Sequence, residues 1–410
     1  MILFGGKQYP SSRQAPLIAR LGPRLLEIRG KSPDREALIK ALDTLARRVE
    51  EGAYDLLLDA LDLPDKERRI REAAWLLKEE QLRNKLATEL PPLRSGPGLK
   101  TLRRPLGVLF HIAAGNIDAL PAYSVVEGLL AGNINILKLP GGDQGLTVTL
   151  LEELIKLCPE AREYIYVFDT PSQDLEAMKA LAALADGIVV WGSEEAVGAA
   201  RQLAPINCRL IEWGHKLSFA YLSRDYGPEE LKALATHIRE TRQLLCSSAQ
   251  LAYLDTDSRE ELEAFCRAFL PLLEEIYGEN DFSRRGKMGL QAYTNRLEQA
   301  LGLQKEVIFQ GKHTQLKLKE GRELEASDQF GSLLVKGLPR EEIIEALSPH
   351  KSRLQTVGLG RMDEDLAERF AAAGLTRITR IENMARPLPG ENHDGLYALA
   401  AYTRLVDVEK

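Results

Sequence analysis

The segment Leu106-Gly-Val-Leu-Phe-His-Ile112 is a short apolar run that ends at the small residues Ala113-Ala-Gly-Asn116. Its length and composition are typical of a strand that is buried on both faces of a sheet. The same pattern returns in Gly132-Asn-Ile-Asn-Ile-Leu-Lys-Leu-Pro140, in 164–168 and in 187–192. We therefore expect these segments to be neighbouring strands of one sheet.

Helical patterns separate these strands, with recurrent apolar residues over 119–130, 146–157, 173–185 and 194–203. Short strands that alternate with helices of about a dozen residues favour an α/β fold with a parallel sheet covered on both faces. Such sheets bind ligands at the carboxyl ends of their strands. The sequence contains no Gly-x-Gly-x-x-Gly motif, so the usual dinucleotide fingerprint is absent.

The flanking regions suggest the domain organisation. Residues 12 to about 95 read as successive helices, one of them starting at Ser32-Pro-Asp-Arg-Glu36 with serine as its cap. A second αβ segment begins with a helix over 228–242 and continues to about residue 380. We expect four parts, which are a helical region over 1–100, αβ domains over 101–222 and 223–385, and a C-terminal segment over 386–410.

Composition excludes several classes of protein. The 410 residues are 44% hydrophobic and 28% charged, with a net charge of −6 and no long basic block, so nucleic-acid binding is not expected. No signal peptide and no uncharged apolar run of membrane-spanning length are visible, and we expect a soluble cytoplasmic protein. The four cysteines form no Cys-x-x-Cys pair, which argues against a structural metal site or a disulfide framework.

Cys246 is the cysteine whose surroundings suit chemistry. It lies where a helical pattern gives way to a strand, and the small residues 247–249 follow it. Small neighbours leave room for a substrate carbonyl to approach the sulfur, and the serine hydroxyls can donate hydrogen bonds. The alternative is a buried small hydrophobic residue, which is our interpretation of Cys158, Cys208 and Cys266.

Glu212 and Asn116 are candidates for catalytic work. Glu212 ends an apolar strand beside a glycine, where a desolvated carboxylate suits general acid–base catalysis. An ion pair with Lys216 or Arg209 is the alternative. Asn116 follows a strand in a Gly-Asn turn and its amide could donate to an oxyanion, although asparagine is also common in turns for backbone reasons.

Lys138 and the pair Gly192-Ser193 are candidates for binding an anionic ligand. Lys138 ends a buried strand, where an ammonium group usually points at an anion or at water. Gly192-Ser193 begins a helix directly after a strand, and backbone amides at such a position favour phosphate.

The order of these residues resembles the aldehyde dehydrogenase superfamily. The sequence runs through Asn116, Gly132-Asn133 to Lys138, Gly192-Ser193, Glu212-x-Gly214-x-Lys216 and Cys246, and the interval from Glu212 to Cys246 is 34 residues, which matches the superfamily's usual spacing. The acyl-CoA reductase branch typified by LuxC is more closely similar. That similarity lies in His111-Ile-Ala-Ala-Gly-Asn116, Arg242-Gln-Leu-Leu-Cys-Ser-Ser-Ala-Gln250 and His393-Asp-Gly395, within a resemblance that covers roughly residues 100 to 400.

The resemblance implies a fold and roles for the candidate residues. The fold is aldehyde dehydrogenase-like, with two Rossmann-like parallel-sheet domains, a helical N-terminal region and a short C-terminal oligomerisation segment. The domain over 101–222 binds a nicotinamide cofactor and the domain over 223–385 carries the nucleophile. Cys246 is then the nucleophile, and Asn116 stabilises the oxyanion. Glu212 is the base, and Lys138, Gly192 and Ser193 bind the cofactor.

Two departures from the superfamily pattern affect these expectations. Trp213 and His215 replace the usual residues around the Glu212 carboxylate. Gly141 stands three residues after Lys138, where NAD-preferring relatives often place an acid. Because no acid repels a 2′-phosphate there, NADPH is the expected cofactor, with NADH as the alternative.

The function implied is reduction of an acyl-CoA or an acyl-protein thioester to an aldehyde through an acyl-cysteine. An acyl-transferring partner protein and a homo-oligomeric state, dimer or tetramer, are further expectations. Two alternatives stay open. One is NAD(P)-dependent aldehyde oxidation with hydrolytic release, which needs Glu212 to activate water. The other is a scaffold that carries an acyl group without turnover.

Overall fold

The computed structural model describes residues 1–59, 66–93, 95–113, 120–143, 145–278, 282–302, 306–386, 388 and 390–410. The chain divides into two compact units. The first comprises residues 1–214 and 389–410, and the second comprises residues 215–388.

The strands are numbered in chain order. They are β1 (Ile2–Phe4), β2 (Lys7–Tyr9), β3 (Leu99–Pro105), β4 (Val108–Ile112), β5 (Ile134–Lys138), β6 (Ile165–Phe168), β7 (Gly187–Trp191), β8 (Arg209–Trp213), β9 (Leu217–Leu222), β10 (Ala249–Leu254), β11 (Val307–Gln310), β12 (Gln315–Leu318), β13 (Ser332–Gly337), β14 (Leu354–Leu359), β15 (Arg377–Arg380) and β16 (Thr403–Glu409).

The α-helices are numbered in the same way. They are α1 (Gln14–Ile28), α2 (Arg35–Glu50), α3 (Asp55–Asp59), α4 (Lys66–Leu76), α5 (Glu79–Glu89), α6 (Leu120–Leu130), α7 (Leu146–Leu157), α8 (Leu175–Ala182), α9 (Glu194–Leu203), α10 (Pro228–Thr241), α11 (Arg259–Tyr277), α12 (Phe282–Ala300), α13 (Ile343–Leu347), α14 (Glu364–Ala373) and α15 (Ala398–Ala401).

The sheet of the first unit has the strand order β2-β1-β6-β5-β4-β7-β8. Strands β4 to β8 are parallel, as the sequence predicts, and β1 adds an antiparallel edge beside β6. The middle of the sheet is buried on both faces, since Phe110 and Ile136 on one face and Leu137 and Val189 on the other are all fully buried. The carboxyl ends of β5, β7 and β8 therefore share one edge of this sheet.

The sheet of the second unit has the order β11-β12-β13-β10-β9-β14-β15, parallel except for β11. Strand β9 belongs to this sheet because it pairs with β10 and β14. The division between the units therefore falls after residue 214, where the sequence suggested 222. Strand β16 pairs antiparallel with β3, so the C-terminal residues belong to the first unit.

The N-terminal region differs in two details from the sequence-based expectation. It is not helical throughout, since β1 and β2 extend the first sheet and bury Ile2 and Leu3 completely. Helix α2 is capped by Asp34 rather than Ser32, because the Asp34 carboxylate accepts hydrogen bonds from the amides of Glu36 and Ala37. No helix in the described ranges combines the length and the apolar character needed to cross a membrane.

Candidate active site

Cys246 lies in the segment between the end of α10 and the start of β10, which we call the cysteine loop (residues 242–248). The residue is half-buried. Helix α10 begins with Pro228 in its first turn, and the amide of Gly227 donates to the Glu230 carboxylate at 2.9 Å. The loop thus connects a capped helix to a strand in the middle of the sheet.

Hydrogen bonds fix the backbone around Cys246. The Ser218 hydroxyl on β9 donates to the Cys246 carbonyl at 2.7 Å and accepts from the Thr356 amide on β14 at 3.1 Å. The buried Ser248 hydroxyl accepts from the Leu245 amide at 3.0 Å. Since the loop is bonded to β9 directly and to β14 through Ser218, the nucleophile candidate has a defined position.

His237 supports the same loop from within α10. It is buried, and its Nε2 accepts a hydrogen bond from the Ala249 amide at 3.1 Å. An accepting Nε2 carries no proton, so this hydrogen bond fixes the tautomer of a neutral ring. Ser218 and His237 could not be identified from the sequence, because neither is distinguished from an ordinary strand or helix residue until the loop is folded.

Burial disfavours the ionised form of the other three cysteines. Burial raises the pKa of the Cys158 thiol above its usual value, raises that of Cys208 to about 11 and raises that of Cys266 to about 12. The thiolate is the nucleophilic form of cysteine. These three side chains are therefore held as thiols at neutral pH.

Glu212 forms a two-point ion pair with a partner that the sequence did not suggest. Its carboxylate accepts from Nε and Nη2 of Arg201 on α9 at 2.6 and 2.7 Å. The suggested alternatives bond elsewhere, since Lys216 donates to the Ser352 carbonyl and Arg209 to the carbonyls of residues 401 and 403. Both carboxylate oxygens of Glu212 therefore accept hydrogen bonds from Arg201.

Lys138 is a buried ammonium at the carboxyl end of β5. Only 5% of the residue is exposed, and its Nζ donates to the Ser172 hydroxyl at 3.0 Å. Burial lowers the pKa of Lys138, while the charge of Asp169 acts in the opposite direction. A Cβ added at Gly141 would meet no atom within 4 Å, so there is open space three residues further on. The arrangement suits a ligand that is anionic or rich in hydroxyls.

Gly192 and Ser193 connect β7 directly to α9. A Cβ at Gly192 would lie 2.9 Å from the Cβ of Ala196, so only glycine permits this close turn. The Ser193 hydroxyl caps α9 by accepting from the Ala196 amide. The first helical turn contains Glu194 and Glu195, however, and these acids weaken the attraction of the helix N-terminus for a phosphate. Lys138 is therefore the stronger anion-binding feature of this sheet edge.

Asn116 lies outside the described residues, so its predicted contact with an oxyanion stays a prediction. His111 lies on β4, upstream of Asn116, and is fully buried. Its Nδ1 is 2.7 Å from the Ser124 hydroxyl and its Nε2 is 3.0 Å from the Asn135 side-chain oxygen. Burial lowers the pKa of His111 to about 4, so its ring is neutral at physiological pH. The indole of Trp191 also donates to Ser124, which ties β7 to this group.

The C-terminal motif at His393 packs on the same sheet edge. The His393 ring centroid lies 5.1 Å from that of Trp191 and 5.0 Å from that of Trp213. Trp191 and Trp213 are the last residues of β7 and β8, and a glycine follows each of them. Trp213 therefore contributes to aromatic packing directly after Glu212 in the chain.

The matching family model and the similar curated proteins are all described as reductases of acyl thioesters. A family model described as acyl-CoA reductase (LuxC) matches residues 35–405. A long-chain acyl-protein thioester reductase of Photobacterium leiognathi is 23% identical over 338 residues, with 75% of this chain and 65% of the relative covered. One of Photorhabdus laumondii is 24% identical over 332 residues, with 75% and 64% covered. The chain thus spans less than two thirds of the length of these curated relatives.

Solved structures share the fold. Glyceraldehyde-3-phosphate dehydrogenase of Methanocaldococcus jannaschii, solved with NADP, has a TM-score of 0.72 at 12% identity, with 98% of this chain and 96% of that chain covered. An acetylating aldehyde dehydrogenase of Geobacillus thermoglucosidasius has a TM-score of 0.66 at 13% identity, with 98% of each chain covered. The predicted aldehyde dehydrogenase-like α/β fold is confirmed.

Proposed function

Because the chain belongs to the LuxC family of acyl-CoA reductases, we propose that it reduces an acyl thioester to an aldehyde through a covalent acyl-Cys246 intermediate. The observation that supports this most directly is the cysteine loop. The backbone around its half-buried Cys246 is held by Ser218 and Ser248, whereas burial disfavours the thiolate at the other three cysteines.

The chain's own residues perform the acyl transfer. The Cys246 thiolate attacks the thioester carbonyl, and the CoA or protein thiolate leaves, so that one thioester replaces another. Asn116 and the Cys246 amide hold the negative charge that develops on the carbonyl oxygen. A reduced nicotinamide cofactor held by Lys138, Gly192 and Ser193 would supply the hydride to the acyl carbon of acyl-Cys246. With one proton from solvent, collapse of the resulting thiohemiacetal would release the aldehyde and the free enzyme thiol.

The cofactor proposal is NADPH, with Lys138 and the residues Gly192 and Ser193 as its binding groups. The buried ammonium of Lys138, bonded to Ser172 beside the open space at Gly141, fits a phosphorylated ribose. An acid at position 141 would repel a 2′-phosphate, and Gly141 offers none. The nearby Asp169 carboxylate is itself paired with the N-terminal amine at 2.7 Å. One of the solved structures with this fold contains NADP, which is consistent with the assignment.

We expect NADPH to be used at least as well as NADH, and Lys138→Ala to reduce that preference. A lysine–phosphate pair at this depth should contribute about 1–2 kcal/mol, which corresponds to about 10-fold in kcat/KM. Steady-state kinetics with both cofactors measure the ratio. An NADH preference of about tenfold in the unmodified protein, or an unchanged ratio in the variant, would contradict the assignment.

Glu212 is proposed to matter more for thioester hydrolysis than for reduction. Hydrolysis of the acyl-enzyme requires a base that activates water, whereas reduction does not. We expect Glu212→Gln to lower hydrolysis by about 10²-fold and reduction by less than tenfold. Both rates can be measured on one preparation, with Arg201→Gln as the control that breaks the ion pair but keeps the carboxylate. Equal losses in the two reactions would instead indicate a structural role.

Further features are part of the proposal. The relatives named long-chain acyl-protein thioester reductases support an acyl-protein thioester as substrate beside acyl-CoA, and hence an acyl-transferring partner protein. We also propose a homo-oligomer in which residues 386–410 act as an oligomerisation arm, and a cytoplasmic location.

The function is tested by following NADPH oxidation and aldehyde formation across acyl-CoAs from acetyl to long-chain. We expect one mole of aldehyde for each mole of NADPH oxidised with at least one chain length. Oxidation of the aldehyde with NADP⁺ in the absence of CoA, at a rate equal to reduction, would favour the hydrolytic alternative. Acylation of Cys246 without any NADPH oxidation would favour the scaffold.

A further inference from the structure

Two loops of the second unit have strained backbone. Among the described residues, five non-glycine residues have a positive φ. Four of them are Arg242 and Gln243 in the cysteine loop and Gln329 and Phe330 in the loop over 327–332. Left-handed backbone is unfavourable for residues with a Cβ and persists only where surrounding contacts enforce it. Contacts between the two loops must therefore hold these four residues in the left-handed conformation.

The Gln243 side chain joins the loops. It is fully buried, and its amide nitrogen lies 3.1 Å from the Ala249 carbonyl, 2.9 Å from the Ser332 carbonyl and 3.2 Å from the Ser327 hydroxyl. Its amide oxygen accepts from the Gly331 amide at 3.0 Å. Both ends of one carboxamide thus bond to the 327–332 loop, and the nitrogen also bonds to the residue that follows the cysteine loop.

Further hydrogen bonds complete the connection. The Phe330 amide donates to the Arg242 carbonyl at 3.2 Å. The Gln250 side chain donates to the Gln243 carbonyl at 2.9 Å and accepts from the Ser327 hydroxyl at 2.8 Å. The left-handed residues of one loop are therefore bonded to those of the other, and neither loop can relax alone.

We propose that Gln243 is a positioning residue for acyl transfer. Its carboxamide locks the cysteine loop to the 327–332 loop and so enforces the left-handed backbone that presents Cys246, three residues further on. Without these hydrogen bonds, residues 242–243 can return to ordinary φ values, which rotates the following peptides and displaces the sulfur. The inference rests on the proposed function in taking Cys246 as the nucleophile.

The first test is Gln243→Met, which keeps the length of the side chain and removes its hydrogen bonds. We expect the rate of Cys246 acylation by acyl-CoA, and with it kcat, to fall about 30-fold while KM changes less than about threefold, because small misplacements of reacting groups are costly. Tyr253→Phe is the matched control, since it deletes a buried hydrogen bond to the Arg322 carbonyl in the same unit. Its kcat should stay within about twofold of the unmodified value for a comparable loss of stability.

Alkylation of Cys246 by iodoacetamide, located by peptide mass mapping, distinguishes a sulfur that is misplaced for acyl transfer from one that is no longer reactive. We expect alkylation in Gln243→Met to be at least as fast as in the unmodified protein, because a loosened loop exposes the sulfur although acyl transfer slows. If Gln243→Met does not fold, Ser327→Ala tests the same connection from the other loop, with acylation expected to slow about fivefold.

The outcomes distinguish this inference from the proposed function. A folded Gln243→Met or Ser327→Ala whose acylation rate equals that of the unmodified protein would overturn the positioning role and leave the reductase proposal intact. Failure of the unmodified protein to acylate Cys246 would overturn both.

Discussion

Replacing Cys246 with serine is expected to reduce thioester reduction by about 10³-fold or more, because a serine hydroxyl is a far weaker nucleophile than a thiolate. Incubation with radiolabelled acyl-CoA, without reduced cofactor, should label one cysteine of the unmodified protein and none of the variant. The fold should be unaffected, since the change is nearly isosteric at a half-buried position.

The other cysteines provide the matched controls. Cys208→Ser is the most demanding of them, because Cys208 is also partly exposed but burial raises the pKa of its thiol to about 11. That variant should retain both the acyl label and the reductase activity. Label that persists in Cys246→Ser, at Cys158, Cys208 or Cys266, would show that the nucleophile has been misassigned.

The second large effect is expected at Lys85, where a buried ion-pair cluster stabilises the first unit. The Lys85 ammonium lies 2.5 Å from a carboxylate oxygen of Glu89 and 2.9 Å from one of Glu127, and each acid is only 4% exposed. The second oxygen of Glu89 accepts from the Leu399 amide at 2.8 Å. The cluster therefore joins α5, α6 and α15.

Lys85→Met should lower the free energy of unfolding by about 3–5 kcal/mol, because it leaves two buried carboxylates without their cation. Lys179→Met is the matched control, since its ion pair with Glu176 is exposed and should contribute less than about 1 kcal/mol. Urea denaturation of both variants measures the difference.

The stability that Lys85→Met loses should increase as the pH rises. Burial raises the pKa of Glu89 above its usual value, and the Lys85 charge opposes that shift. Without the lysine the folded-state pKa rises further, so folding favours the protonated acid. Stability is then lost as pH rises from the unfolded-state pKa of about 4.3 through the higher folded-state pKa. If the variant's free energy of unfolding fell below that of the unmodified protein by as much at pH 5 as at pH 8, this explanation would be contradicted.

Local sequence patterns were sufficient for much of the fold and for the proposal of a nucleophile. Helices α7 and α9 begin and end at the residues that the apolar periodicity predicted, and β5 lies within the predicted segment 132–140. Periodicity and helix caps act over a few residues, so they can be recognised without the tertiary structure. The choice of Cys246 rests on the same local information, its small neighbours and its place between a helix and a strand.

The sequence by itself determined the α/β class, the family resemblance and the candidate residues, because these depend on short segments and on their order along the chain. Only the tertiary structure decided which groups meet. Glu212 pairs with Arg201 because α9 packs beside β8, and β9 joins the second sheet because its backbone pairs with β10 and β14. Gln243 meets Ser327, 84 residues away. Pairing between distant segments depends on packing of the whole chain, and no local pattern specifies it.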